Sequence, residues 1–147
     1  MLLTSYLRGE LKRKCVKAEP DAPRSQRDLS VSYERIGDVQ RAQGDLPSAL
    51  SSYKQGLEIR EKLAARDPAN AQWKTDLVVS LWKLANVLER QGAPQNREAA
   101  INYQRALEML LAIEGKLTAE QKTWISQLEV RLKAISGENT KVGQSPR

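Results

Sequence analysis

Residues 28–63 read DLSVSYERIGDVQRAQGDLPSALSSYKQGLEIREKL, and residues 76–113 read DLVVSLWKLANVLERQGAPQNREAAINYQRALEMLLAI. The second stretch is a degenerate copy of the first. Asp28, Leu29, Ser32, Ile36, Val39, Gln43 and Gly44 match Asp76, Leu77, Ser80, Leu84, Val87, Gln91 and Gly92 at a constant offset of 48. Two extra residues then enter the turn, after which Ala49, Leu50, Tyr53, Leu57 and Glu58 match Ala99, Ile101, Tyr103, Leu107 and Glu108, nearly all at an offset of 50. Self-similarity at this period signals stacked helical hairpins, because one such unit cannot bury its apolar face alone. The expected fold class is all-α, a right-handed solenoid of helical hairpins with about six helices.

Apolar spacing within each copy follows the helical period. Leu29, Tyr33, Ile36, Gly37 and Gln40 share one stripe, and Gln43-Gly44-Asp45-Leu46-Pro47 forms the turn. Asp45 is placed to cap the next helix, and Pro47 suits its first turn because the amide it lacks would be unpaired there. Ala49, Leu50, Tyr53, Gly56, Leu57 and Leu63 make the second stripe, which Asp67-Pro68-Ala69-Asn70 ends, with Asn70 capping the helix after it. The second copy repeats this through Leu77, Leu81, Leu84, Ala85 and Leu88, then Gly92-Ala93-Pro94, then Ala99, Ile101, Tyr103, Ala106 and Leu107. Small residues recur at matching places, Gly37 with Ala85 and Gly56 with Ala106, where helices of one hairpin must approach closely.

The order Tyr33, Ile36-Gly37, Gly44, Ala49, Tyr53, Gly56-Leu57, and again Leu81, Leu84-Ala85, Gly92, Ala99, Tyr103, Ala106-Leu107, resembles the tetratricopeptide repeat (TPR). The resemblance covers about residues 28–113. The second helices run longer than the standard form, to Arg66 before Asp67-Pro68, and are similar to the long repeats of kinesin light chain-like bacterial arrays. Ala85 in place of Gly and the longer turn from Gly92 to Glu98 depart from the pattern, so the second hairpin angle is expected to differ slightly. Repeat 1 spans 28–70 and repeat 2 spans 71–117 on this reading.

Both ends read against the repeat. Leu3-Thr4-Ser5-Tyr6-Leu7-Arg8-Gly9 resembles Leu50-Ser51-Ser52-Tyr53-Lys54-Gln55-Gly56, so residues 1–27 are expected to hold the second helix of a truncated repeat and a linker. Thr118-Ala119-Glu120-Gln121 is a capping box, and Trp124, Leu128, Leu132 and Ile135 predict a capping helix over 118–136. Residues 137–147 are expected to form a disordered tail.

Composition narrows the function classes. His is absent and Cys15 stands alone, which removes an intrachain disulfide, the common His/Cys zinc sites and any Ser–His or Cys–His catalytic pair. No glycine-rich phosphate loop or nucleophile elbow occurs, so a non-enzymatic protein without cofactor or metal is expected. The N-terminus lacks a signal-peptide pattern and the apolar runs are too short for a bilayer, giving a cytoplasmic expectation. Net charge is +6, of which residues 1–27 hold +4 and residues 28–136 hold +1. Nucleic-acid binding would therefore rest on Arg8, Lys12, Arg13, Lys14 and Lys17, a run that otherwise solvates a helix face; it is the lesser alternative.

The TPR resemblance implies a protein or peptide partner, held on the inner face formed by the first helix of each pair. Residues there outside the core stripe are Val31, Glu34, Arg35, Asp38, Arg41 and Ala42, then Val79, Trp82, Lys83, Asn86 and Arg90. The candidate groove consists of Glu34, Asp38, Arg41, Val79, Trp82, Lys83, Asn86 and Arg90. Trp82 reads either as an aromatic anchor for a partner or as packing against the capping helix near Val130 or Lys133. Trp73 and Trp124 read as structural wedges. Chaperone-binding TPR proteins hold a carboxylate with Lys and Asn on these helices. Glu34 and Asp38 stand at those positions here and would repel one, which favours a partner with basic and apolar groups. The alternative function is self-association through the N-terminal half repeat, giving a homodimer.

Overall fold

The computed structural model of the protein describes residues 22–142, which hold five α-helices and no strand. They are α1 (Pro23–Ala42), α2 (Leu46–Arg66), α3 (Ala71–Gln91), α4 (Asn96–Ala112) and α5 (Ala119–Val142). The expected N-terminal half-repeat helix, Cys15 and the basic run from Arg8 to Lys17 lie outside the described residues. None of the described helices is long and apolar enough to cross a membrane.

Local chemistry explains the helix boundaries. Ala22 is extended, as the residue before a proline tends to be, and Pro23 opens α1 five residues ahead of the expected start at Asp28. Gly44 takes φ +81°, Asp45 accepts the Ser48 amide at 3.2 Å, and Pro47 sits in the first turn of α2. Asn70 accepts the Trp73 amide at 3.1 Å to start α3. Gly92, at φ +102°, ends α3, and a short 3-10 turn over Ala93–Gln95 absorbs the extra residues before α4. Thr118 and Gln121 cap α5 reciprocally, at 3.2 Å and 3.0 Å. The expected stop at Ser136-Gly137 is corrected: α5 continues to Val142, with Gly137 inside it at an ordinary negative φ. Glycine weakens a helix but does not end one unless its backbone turns left-handed.

Each helix packs on the next in chain order. Side chains also join alternate helices. Arg27 to Asp76 (2.6 Å) and Lys83 to Asp38 (2.7 Å) link α1 with α3, and Arg131 to Glu89 (3.2 Å) links α3 with α5. Arg105 to Glu61 (2.8 Å) and Lys54 to Glu98 (3.6 Å) link α2 with α4. Long side chains thus bridge helices two apart in the chain as well as neighbours.

One apolar cluster runs through α2, α3, α4 and α5, with Val78, Leu81, Val87 and Leu88 of α3 at its centre. α1 and α2 approach closely at the small residues. A Cβ on Gly37 would lie 2.6 Å from the Tyr53 ring, and one on Gly56 would lie 3.2 Å from the Ser30 carbonyl. Two expected core positions are corrected. Leu29 (44% exposed) and Ile36 (49%) face outward, as does Val39 (56%), although their copies Leu77, Leu84 and Val87 are 5%, 3% and 0% exposed. The reason is position in the stack: α3 has α2 before it, and no described helix precedes α1. Ile101 is also exposed, because Ala100 rather than Ile101 takes the place of Leu50 and packs on the core.

Candidate functional site

Five of the eight groove residues line one cleft. Arg41 from α1 and Val79, Trp82, Lys83 and Asn86 from α3 surround a cavity of about 330 Å³, closed on its far side by Trp124 and Gln127 of α5. Val79, Trp82, Lys83 and Asn86 reach it together because they fall on one helical face, three or four residues apart. Trp82 and Trp124 meet edge to face, with ring centroids 6.3 Å apart and planes at 89°, a favoured aromatic geometry. Trp82 therefore packs on the last helix, against Trp124 and beside a depression that Val130 also lines. Both indoles remain partly exposed, and Trp82 also borders a second depression with Ser126, Val130 and Arg131.

Glu34 and Asp38 come close to this cleft but are held by the protein's own cations. Glu34 Oε2 accepts from Arg60 Nη2 at 2.8 Å, and Oε1 lies 3.3 Å from Lys83 Nζ without a hydrogen bond to complete its coordination. Asp38 accepts from Lys83 at 2.7 Å and from the Tyr53 hydroxyl at 2.6 Å, with Arg41 at 3.9 Å. Burial pushes the Asp38 carboxyl up, and the bonds from Lys83 and Tyr53 outweigh it, leaving the group below its ordinary value of 3.8. Burial and the bond to Asp38 push the Tyr53 phenol well above its ordinary value. Lys83 is thereby turned along the cleft wall with its charge answered from α1.

The second hairpin repeats the tyrosine with a different partner. Tyr103 donates to Glu89 at 2.9 Å, and Asn86 stands at the position of Asp38. Burial and Glu89 raise this phenol strongly as well. Arg90 is exposed and does not line the cleft. Trp124 and Gln127 were not among the groove residues expected from sequence. Read from sequence, the last helix is a cap and Trp124 a structural wedge, so neither residue is assigned to the groove.

The cleft offers two aromatic walls, a Val floor, two amide side chains and cationic edges from Arg41 and Lys83. It suits an apolar side chain with hydrogen-bonding backbone beside it. Among the described residues no three His, Cys, Asp or Glu side chains group as metal ligands. Comparison with protein-family models, curated proteins and solved structures found no significant match.

Proposed function

We propose that the chain is a non-enzymatic, TPR-like interaction scaffold, a solenoid of two helical hairpins and a further helix, which holds a peptide or helix of another protein in the two-tryptophan cleft. The carrying observation is the convergence of α1, α3 and α5 on Trp82 and Trp124 at an open cavity. Side-chain bridges between helices two apart in the chain support the solenoid reading, since nearest-neighbour stacking brings such helices together. The bound segment inserts an apolar or aromatic side chain between the indoles, and Asn86 and Gln127 bond its backbone. Glu34 and Asp38 already have cationic partners, so a basic group on the ligand is not required.

Display of random twelve-residue peptides on the full chain, with indole fluorescence as the binding readout, tests this reading. Enriched peptides should carry an apolar anchor and lose at least about tenfold in affinity on Trp82→Ala, the size expected of an aromatic hot spot. Enrichment of peptides whose affinity is unchanged in both Trp82→Ala and Trp124→Ala would place the site elsewhere.

A further inference from the structure

α1 carries an apolar face without a cover among the described residues, and its copy in the next repeat shows what covers such a face. Leu29, Ile36 and Val39 lie open on α1, whereas the matching residues of α3 are buried. Before α3 in the chain comes α2, which packs on it. The contact has a polar anchor: Arg60 Nη1 donates to the Asp76 carbonyl at 2.7 Å and to Ser80 Oγ at 2.8 Å. α1 presents the same receptor. Asp28 and Ser32 stand where Asp76 and Ser80 stand, and the exposed Ser32 hydroxyl donates back to the Asp28 carbonyl at 3.1 Å.

The sequence ahead of α1 supplies the other half. Leu3, Tyr6 and Gly9 match Leu50, Tyr53 and Gly56 at an offset of 47, and that same offset carries Arg13 onto Arg60. We propose that residues 3–17 of this chain dock on the outer face of α1 as α2 docks on α3, with the Arg13 guanidinium seated on the Asp28 carbonyl and the Ser32 hydroxyl. The occupant is the chain's own segment rather than a second copy because the link is short. Residues 18–22 separate it from Pro23, much as residues 67–70 separate Arg66 from Ala71. Links of this length favour packing between chain neighbours.

Cys15 is the chain's one cysteine, and its match at the same offset, Lys62, is exposed, so a nitroxide there leaves the docked face untouched. In the full, isotope-labelled chain the nitroxide should broaden amide signals of α1 between Leu29 and Val39 and spare those of α5 near Gln127. Ile36→Asp and Arg13→Met should each relieve the broadening. Tryptic cleavage after Lys12, Arg13 or Lys14 should rise about tenfold in Ile36→Asp as the docked population falls. Ile36 is exposed, so this variant leaves the packing of α2 to α5 intact. Broadening absent from α1, or unaffected by both substitutions, overturns the proposal. Broadening that passes from a nitroxide-bearing copy to a separate isotope-labelled copy assigns the face to a second chain and overturns it equally.

Discussion

The two hairpins answer one packing problem with opposite chemistry. In the first, Arg60 is buried and reaches Glu34 on α1, Ser30 on α1 and Ser80 on α3. In the second, Leu110 stands at the position of Arg60, Trp82 at that of Glu34, and Leu110 is fully buried. The positions of an ion pair in one copy carry apolar residues in the other. Repetition of a fold thus fixes where residues meet but leaves free what they are. The exchange also has a functional result: because the second copy carries Trp82 where the first carries Glu34, the aromatic wall of the cleft exists at the α3–α5 junction and not at α1.

The largest test of that contrast is Arg60→Leu. It copies the second hairpin's residue into the first but strands the partly buried Glu34 carboxylate, and should lower stability by about 3 kcal/mol in urea unfolding, the low end for a broken buried pair because Lys83 remains nearby. Adding Glu34→Trp, which completes the apolar pair, should recover part of the loss. Additive losses would show that the two positions do not act as a unit.

Next comes the small-residue contact. Gly37→Ala drives a methyl into the Tyr53 ring and should cost about 1–3 kcal/mol, as overpacking does, despite the better helix propensity of alanine. At the matching place Ala85→Gly should cost about 1 kcal/mol through propensity and a lost methyl. Gly37→Ala stabilising the protein would mean that the ring does not lie there.

Acid titration separates the copies more finely. A carboxyl held below its ordinary value contributes stability that is present above 3.8 and is lost as pH falls through the lowered folded-state value. Asp38→Asn should flatten this acid limb, since the second copy carries the non-titrating Asn86 at that place. The alkaline limb is common to both hairpins: Tyr53 and Tyr103 are raised, so their contribution is complete below the ordinary value of 10.0 and declines as pH rises beyond it. Loss of the alkaline limb in Tyr53→Phe alone would show that Tyr103 is not buried against Glu89. The smallest effect belongs to the exposed Lys62–Glu58 pair at 2.7 Å, where Lys62→Ala should change stability by no more than about 0.5 kcal/mol in the same urea assay.

Much of the fold was legible because helix ends obey local chemistry. Asp45, Asn70 and Thr118 cap as their types and neighbours dictate, and Gly44 and Gly92 turn where the copies align. Outward exposure of Leu29, Ile36 and Val39 was not legible, since their spacing is that of buried residues and their exposure depends on what lies before α1. Ile101 was misassigned because a two-residue insertion leaves the register just beyond it ambiguous. In the cleft, the helical face of Val79, Trp82, Lys83 and Asn86 followed from spacing alone. Capture of Glu34 by Arg60 did not, because the partner lies 26 residues away and its copy is a leucine.

The central claim is that duplicated hairpins bring α3 and α5 side by side, so that two tryptophans wall an open cleft. Assigned nuclear Overhauser contacts between the indole protons of Trp82 and Trp124 in the full chain test it most directly. Cross-peaks between ring protons of the two indoles are expected, with an upfield ring-current shift of the edge protons that point at the other ring, together with contacts from Val79 to Trp124. Strong signals from both indoles with no cross-peak between them would contradict the stacking and remove the cleft with it.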